Sequence, residues 1–134
     1  HLFGGAGNDR LRAEAGRDRL FGGAGNDQLH SGTERNQLRG DAGNDVLFAT
    51  ITGRGQDLSG GTGADTFVFL GADARGTSHS VIRDFTLGED RLVFGTRTIS
   101  LTDLPDGMVA REVDAGLMLR LSPGNFVLLE DLVL

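Results

Sequence analysis

The stretch Gly22-Gly23-Ala24-Gly25-Asn26-Asp27-Gln28-Leu29-His30 decides the fold of this chain. Near copies begin eighteen residues earlier at Gly4 and eighteen later at Gly40, and a fourth begins at Gly60 after twenty residues. Weaker units of the same length occupy residues 13–21 and 31–39, and a unit one residue short occupies 52–59. Fifteen of the 22 glycines precede residue 64, so the first half of the chain is a repeat array.

The composition of the 134 residues excludes several classes of protein. Cysteine is absent, which rules out disulfides and zinc–thiolate sites, and all 13 basic residues are arginine, which rules out a Walker phosphate loop. A net charge of −6 argues against nucleic acid as a partner, and no apolar run approaches the ~18 residues of a membrane span. Neither H-E-x-x-H nor G-x-S-x-G occurs, so we expect a protein that is not an enzyme.

Each nine-residue unit combines a turn with a short strand. Glycine tolerates positive φ, so the six residues G-G-x-G-x-D predict a turn that directs carbonyl oxygens inward. The remaining three residues predict a strand with the large apolar residue, such as Leu29, facing the interior. Two units make one eighteen-residue coil, so the turns of alternate units should stack along one edge of a parallel β-solenoid.

That stacking would align Asp9, Asp27, Asp45 and Asp65 along one edge. Two carboxylates about 5 Å apart repel each other by roughly 1–3 kcal/mol, and a cation between them reverses the sign. Carboxylate and carbonyl oxygens suit calcium better than magnesium, which demands stricter octahedral geometry. The alternative is a metal-free array closed by asparagine ladders.

The other edge departs from the repeat pattern. In the unit 31–39, Glu34 stands at a glycine position and Asn36 at the aspartate position, between Asp18 and Asp57. We expect sites touching Asn36 to be weak or empty. The prediction is therefore about three calcium ions on the well-formed edge, in the pairs Asp9/Asp27, Asp27/Asp45 and Asp45/Asp65.

The second half of the chain has ordinary β patterning. Strands are predicted at 66–70, 81–85 and 91–94, and a hairpin joins 108–113 to 117–121 through Asp114-Ala115-Gly116. A further turn at 122–125 leads into a last strand, and 101–107 reads as a turn or one short helical turn. We predict an all-β chain in two parts, a repeat array over 1–69 and an antiparallel β cap over 70–134 packed on it as one unit.

The nonapeptide G-G-x-G-x-D-x-U-x resembles the RTX (repeats-in-toxin), or hemolysin-type, calcium-binding repeat. The resemblance implies a right-handed parallel β-roll with calcium in the turns. It places ligands at the glycine and aspartate positions, which here are Gly5, Gly7, Asp9, Asp18, Gly23, Gly25, Asp27, Asp41, Gly43, Asp45, Asp57, Gly61, Gly63 and Asp65.

The second half resembles the segment that follows the repeats in serralysin-type proteases and alginate epimerase modules. The matching motifs are 63–69, Ile82-Arg83-Asp84-Phe85 and Gly88-Glu89-Asp90-Arg91-Leu92. The resemblance implies that Asp84 or Asp90 helps to hold a further calcium ion; the alternative is that both favour turns and solvent. The ending Asp131-Leu132-Val133-Leu134 is similar to the terminal signal for type I secretion in that family.

These observations predict the carboxyl-terminal module of a secreted, extracellular bacterial protein that folds on binding calcium. Its partners would be the type I secretion apparatus and an upstream domain of the same polypeptide, because Leu2 and Phe3 match the end of a further unit. One apolar residue per nine buries too little surface to order the array, so we expect it to be unfolded without calcium. The alternative function is an adhesive or polysaccharide-binding module that uses Arg12 and Arg39.

Overall fold

The structure, a computed structural model, describes residues 1–51, 54–71, 78–122 and 124–132. Within these ranges the regular secondary structure is all β, as predicted. The turn predicted over 122–125 lies partly outside the described residues, as do the last two residues of the terminal motif. The array contains eight strands: β1 Leu2–Ala6, β2 Arg10–Arg12, β3 Arg19–Ala24, β4 Gln28–His30, β5 Gln37–Ala42, β6 Val46–Thr50, β7 Asp57–Thr62 and β8 Thr66–Leu70.

The odd-numbered and even-numbered strands of the array form two separate sheets. Strands β1, β3, β5 and β7 belong to an eight-stranded sheet (sheet one), and β2, β4, β6 and β8 belong to a six-stranded sheet (sheet two). All pairs among these strands are parallel, and Leu2 pairs with Leu20 and Leu20 with Leu38. The eighteen-residue coil predicted from the repeat is therefore confirmed, and the array is a parallel β-solenoid.

The core of the array is the row of apolar residues at the eighth position of each unit. Leu20, Leu38 and Leu58 from sheet one are fully buried, and they face the equivalent residues of sheet two. Burying one leucine stabilises the fold by about 1.5–3 kcal/mol, so the row supplies most of the apolar stabilisation of the array. The equivalent residues of sheet two are Leu11, Leu29, Leu47 and Phe67.

Both parallel sheets continue beyond residue 70. Strand β9 (Ser78–Ile82) pairs in parallel with β7 of sheet one, and β10 (Arg91–Phe94) pairs in parallel with β8 of sheet two. The prediction of one antiparallel strand–turn–strand unit over 81–94 is therefore wrong. The segment forms one more coil of the solenoid, because Ile82 and Leu92 cover the last apolar layer by stacking on Leu58 and Phe67.

The antiparallel cap predicted at the end of the solenoid is present and starts after this coil. Strand β11 (Arg97–Ile99) folds back on β10, and β12 (Val109–Val113), β13 (Gly116–Ser122) and β14 (Asn125–Glu130) form an antiparallel set. Val113 pairs with Gly116, so the predicted hairpin is confirmed with Asp114-Ala115 as its two-residue loop. Residues 101–107 form turns.

Two strand pairings, β11 with β10 and β14 with β9, and the side chain of Arg83 join the cap to the solenoid. Strand β14 pairs in parallel with β9, so sheet one runs unbroken from β1 into the cap. The guanidinium of Arg83 donates two hydrogen bonds to the carboxylate of Asp57 (2.9 and 2.8 Å) and one to Glu130 (2.6 Å). These two carboxylates raise the pKa of Arg83, which therefore remains a fixed cation between strands of the solenoid and the cap.

Candidate metal centre

The turns of the solenoid lie along two edges. We call the first edge the turns that follow β1, β3, β5, β7 and β9, and the second edge the turns that follow β2, β4, β6 and β8. The four well-formed G-G-x-G-x-D segments all lie on the first edge, and the degraded units lie on the second. The edges therefore differ in chemistry although the strands between them are alike.

On the first edge the aspartates form a continuous hydrogen-bonded ladder. The backbone amide of Asp9 donates to Oδ1 of Asp27 at 2.7 Å, and the amide of Asp27 donates to Oδ1 of Asp45 at 2.8 Å. The amide of Asp45 donates to Oδ1 of Asp65 at 2.9 Å, and the amide of Asp65 to Oδ1 of Asp90 at 2.9 Å. The structure thus brings together the three aspartate pairs predicted from the repeat spacing.

The second oxygen of each of the first four carboxylates in this ladder has no hydrogen-bond partner. Oδ2 of Asp9, Asp27, Asp45 and Asp65 is buried and accepts no hydrogen bond, and no other side-chain atom of the described residues shares that condition. Asp27, Asp45 and Asp65 are each only 1% exposed. A buried carboxylate oxygen without a donor raises the free energy of the folded state. A cation bound next to the row of Oδ2 atoms would therefore stabilise the fold.

Burial also changes the titration of these carboxylates. Desolvation raises the pKa of Asp65 to about 6, and the neighbouring Asp90 and Asp45 add to the increase. Desolvation raises the pKa of Asp45 as well, although the hydrogen bond from the Asp27 amide opposes it. In the metal-free chain Asp45 and Asp65 therefore hold protons more tightly than free aspartate does.

The first glycine of each unit leaves room for the unpartnered oxygen. A Cβ on Gly4 would meet Oδ2 of Asp9 at 2.7 Å and the carbonyl oxygen of Gly22 at 2.6 Å. The same pair of atoms converges at Gly22 and at Gly40, where the carbonyl oxygens belong to Gly40 and Gly60. A side chain at this position would collide with both oxygens, so glycine allows a carboxylate oxygen and a carbonyl oxygen, the ligand types that calcium prefers, to lie close together.

The second and fourth positions of the unit require positive φ. The glycines predicted there as site residues all have φ between 96° and 128°, namely Gly5, Gly7, Gly23, Gly25, Gly43, Gly61 and Gly63. Asp41 occupies a second position and has φ of 78°, a conformation that non-glycine residues rarely adopt. The Asp41 carboxylate lies 3.7 Å from the guanidinium of Arg39, and its backbone stays in register with Gly23 and Gly61.

The asparagine ladder weighed as a metal-free alternative is also present. Oδ1 of Asn8 accepts the amide of Asn26 at 2.8 Å, and Oδ1 of Asn26 accepts the amide of Asn44 at 2.8 Å. These atoms lie on the exposed side of the turns. The asparagines thus link adjacent turns, but they donate no hydrogen bond to the buried Oδ2 atoms, which remain without partners.

Asp84 and Asp90 close the first edge at the last coil. Asp84 accepts hydrogen bonds from the Ser59 hydroxyl (2.7 Å) and from the amides of Gly60 (2.9 Å) and Gly61 (2.8 Å). Oδ2 of Asp90 accepts the amide of Thr86 at 2.8 Å, so Asp90 has no unpartnered oxygen. Both carboxylates therefore accept hydrogen bonds from backbone amides of the solenoid, and neither side chain contacts solvent alone.

On the second edge, three neutral side chains, those of Asn36, Gln56 and Ser80, form a hydrogen-bonded ladder that begins at the backbone amide of Asp18. The amide of Asp18 donates to Oδ1 of Asn36 at 2.7 Å, the amide of Asn36 to Oε1 of Gln56 at 2.9 Å, and the amide of Gln56 to the Ser80 hydroxyl at 2.9 Å. The prediction that Asp57 occupies this row is wrong.

The correction at Asp57 has a simple physical reason. Leu58 is fully buried and pairs with Leu38, which places Asp57 opposite Gln37 and Gln56 opposite Asn36. Burial of the leucine fixes the register, so the missing residue of this unit lies before Gln56. Asp57 instead binds Arg83.

Sequence reasoning missed two sets of residues at these edges. One comprises the first glycines of the well-formed units, Gly4, Gly22, Gly40 and Gly60, whose constancy in all four units was the available signal. The other is Gln56, which alignment on the buried leucine would have found. In the part of the chain that the structure describes, no three acidic, histidine or cysteine side chains converge as a metal-binding group, and no helix is long and apolar enough to cross a membrane.

Comparison with known proteins finds a calcium-binding repeat in the first part of the chain. Residues 1–29 match the family model of the RTX calcium-binding nonapeptide repeat, with four copies. The solution structure of the AlgE6R3 subunit of the Azotobacter vinelandii mannuronan C5-epimerase is similar, with 27% sequence identity and a TM-score of 0.37. The match covers 87% of this chain and 62% of that structure, so this chain corresponds to less than two thirds of it. No curated protein sequence matches significantly.

Proposed function

We propose, on the premise that this chain carries an RTX calcium-binding repeat module, that calcium at the first edge drives the folding of the module. The observation that carries the proposal is the row of four buried, unpartnered Oδ2 atoms. Bound calcium would supply the positive charge that these oxygens lack. The ligands on this chain would be Oδ2 of the aspartates together with carbonyl oxygens of the glycine positions.

The proposed number of ions is about three, one for each pair of stacked turns. The pairs are Asp9/Asp27, Asp27/Asp45 and Asp45/Asp65, whose members are linked by hydrogen bonds of 2.7–2.9 Å. Asp90 continues the row but has both oxygens occupied by amides, so we assign it to closing the edge.

The module would be a non-catalytic part of a secreted bacterial protein. RTX repeats are typical of secreted proteins, and the calcium concentration outside a cell is millimolar, which suits sites with dissociation constants of about 10⁻⁴–10⁻³ M. Inside the cell, where calcium is scarce, the array would stay unfolded and pass through the type I secretion apparatus. Folding outside would then stabilise an upstream domain of the same polypeptide.

Circular dichroism and equilibrium dialysis test this function directly. With excess chelator we expect loss of the β signal, and its recovery at millimolar calcium with about three ions bound. Magnesium at the same concentration is the control and should restore little structure, because it prefers six ligands at shorter distances. A chain that remains fully folded in chelator, or that binds no calcium, contradicts the proposal.

Polysaccharide binding is the second candidate, and one surface row favours it. On sheet one the Arg39 guanidinium lies 6.0 Å from the ring centre of Phe21, which stacks on Phe3 at 4.9 Å. Phe3 is 70% exposed. Arg12 lies on sheet two, so the two arginines predicted for this function belong to opposite faces of the solenoid.

This separation gives the second candidate a matched test. If an acidic polysaccharide binds the row on sheet one, Arg39→Ala should weaken binding several-fold at low salt, whereas Arg12→Ala should leave it unchanged. Equal loss in both variants would indicate unspecific attraction to positive charge, and no binding at low salt would exclude this function.

A further inference from the structure

The Gln56 side chain at the second edge is surrounded by backbone carbonyl oxygens. Its Nε2 donates to the carbonyls of Glu34 at 2.9 Å, Arg54 at 3.0 Å, Thr50 at 3.2 Å and Gly32 at 3.4 Å. Two of these carbonyls come from the turn after β4, one from the last residue of β6 and one from the turn after β6. We call these four oxygens the carbonyl cage. Gln56 is 1% exposed, so the cage is closed to solvent around the amide.

The hydrogen-bond network fixes which end of the Gln56 amide faces the cage. Oε1 accepts the backbone amide of Asn36 at 2.9 Å, and an oxygen is required there. The NH₂ group must therefore face the four carbonyls. Asn36 makes the same choice, since its Nδ2 donates to the Glu34 carbonyl at 2.8 Å while its Oδ1 accepts the amide of Asp18.

The two edges differ in whether their buried oxygens have a donor. On the first edge the residue in the ladder is an aspartate whose second oxygen is buried without a donor. On the second edge the equivalent atom of Gln56 is a nitrogen, and its two hydrogens carry partial positive charge toward the carbonyls. Several converging carbonyl oxygens are a typical environment for calcium, and here an amide fills their centre.

The charge near Gln56 also disfavours a bound cation. Each described turn that precedes a ladder residue carries an exposed arginine, namely Arg17, Arg35 and Arg54. The first-edge turns that end at Asp9, Asp27, Asp45 and Asp65 contain only glycine, alanine, threonine, asparagine and aspartate. Glu14 and Glu34 offset Arg17 and Arg35, so the turn that contains Arg54 and Gln56 is the one described turn of this edge with a net positive charge.

We propose that the amide of Gln56 replaces a calcium ion in the carbonyl cage, so that the second edge is held by the protein alone between β4 and β7. The cage would bind calcium if the side-chain nitrogen of Gln56 were an oxygen. This inference rests on the proposed function for its comparison with the first edge. The ligand it would take is a hard divalent cation, since the cage contains only oxygen acceptors.

Gln56→Glu tests the inference because it exchanges the amide nitrogen for oxygen at constant size. The new carboxylate oxygen would face four carbonyls, so we expect the variant to bind one more calcium ion than the wild-type chain, measured by native mass spectrometry and equilibrium dialysis. The variant should also require more calcium to fold. Gln28→Glu is the matched control, because Gln28 accepts two hydrogen bonds from Arg10 on a strand face, and it should leave the ion count unchanged.

Gln56→Met removes the N–H donors of the amide without adding a carboxylate that could bind calcium. We expect a lower melting temperature at saturating calcium and an unchanged ion count, because no ion occupies the cage in the wild-type chain. An ion count that falls in Gln56→Met shows that a metal was bound there and overturns the inference. Equal ion counts in wild type and Gln56→Glu, or a Gln56→Glu chain that stays unfolded at saturating calcium, also overturn it. A wild-type chain that binds no calcium would contradict the proposed function instead.

Discussion

The amide of Asp27 donates to Oδ1 of Asp45 at 2.8 Å, while Oδ2 of both carboxylates is buried without a partner. One oxygen of each carboxylate thus builds the solenoid and the other is left for an ion. Because the same arrangement recurs at each coil of the first edge, occupancy of one site should favour its neighbour by ordering the shared turn. Calcium-driven folding of the array should consequently be cooperative.

Asp45→Asn should weaken calcium binding while it preserves the ladder. The asparagine Oδ1 can still accept the Asp27 amide, as Asn36 accepts the Asp18 amide on the second edge. Its NH₂ group would replace the unpartnered oxygen, with a loss of about 1.5–3 kcal/mol per lost charged contact, or tenfold or more in the calcium midpoint. A calcium titration followed by circular dichroism measures the midpoint.

Asp106→Asn is the control for that variant, since Asp106 is exposed in a turn of the cap. It removes the same charge and should leave the midpoint unchanged. If both variants move the midpoint equally, net charge and not the first edge governs the response to calcium.

Gly22→Ala should displace Oδ2 of Asp27 and weaken the calcium sites that this oxygen serves. The added methyl would collide with Oδ2 of the buried Asp27 side chain and with the backbone carbonyl of Gly40, and neither atom can move away easily. We expect a loss of about 1–3 kcal/mol in stability at saturating calcium from overpacking, together with fewer bound ions.

Gly88→Ala serves as the comparison for this variant. Gly88 has φ of 89° but open space around its Cβ position, so alanine there costs about 1–2 kcal/mol through backbone strain alone. Its ion count should match the wild type. If Gly22→Ala retains every ion, the glycine carbonyls and Oδ2 atoms do not define the calcium sites.

Acid should partly replace calcium in stabilising the array. Burial raises the pKa of Asp65 to about 6 in the folded, metal-free chain, above the value of 3.8 in an unfolded chain. The folded form therefore binds the proton more tightly, and the metal-free fold gains stability as pH falls through about 6 and loses it as pH rises. Calcium requires the charged carboxylate, so its affinity should fall over the same range.

Circular dichroism in chelator at about pH 5 and about pH 7.5 measures this dependence as the β signal that forms without calcium. We expect a larger β signal at the lower pH, and a smaller difference in Asp65→Asn, which has no proton to bind at that position. A β signal that falls on acidification would show that other groups dominate the pH dependence.

Asp41→Gly should stabilise the calcium-bound chain by about 1 kcal/mol. Asp41 adopts φ of 78° at a position where the other first-edge units have glycine, and its charge also helps to raise the pKa of Asp45. The exposed pair with Arg39, at 3.7 Å, contributes little. Denaturant unfolding at fixed calcium measures the gain.

Asp41→Asn separates the two causes, because asparagine tolerates positive φ about as well as aspartate and carries no charge. If backbone strain dominates, this variant should stay close to the wild type. A loss of stability in Asp41→Gly would instead assign the Asp41 carboxylate a direct part in binding.

Much of the array could be predicted because its signals are local. The turn requires glycine at positions 5, 7, 23 and 25, and Leu29 alternates with polar neighbours. Nine residues therefore suffice to predict the turn, the strand and the face of the strand that is buried. The eighteen-residue coil then follows from the repeat length. The aspartate row of the candidate site is a consequence of the same period.

The parts that could not be predicted depend on contacts distant in the sequence. The register of the short unit was settled by burial of Leu58 against Leu38, which moved Gln56 and not Asp57 into the ladder. Strands β9 and β10 pattern like a hairpin, but each pairs with an exposed edge of the solenoid that only the folded array provides.

By itself, the sequence determined the period, the all-β class and the aspartate row, since each depends on residues within one repeat or on its exact recurrence. Tertiary structure alone decided which oxygens are buried without partners, how far the solenoid extends, and that an amide fills the carbonyl cage of the second edge. These depend on how neighbouring coils stack, because a hydrogen bond between residues 18–24 apart exists only after the chain has closed its turns.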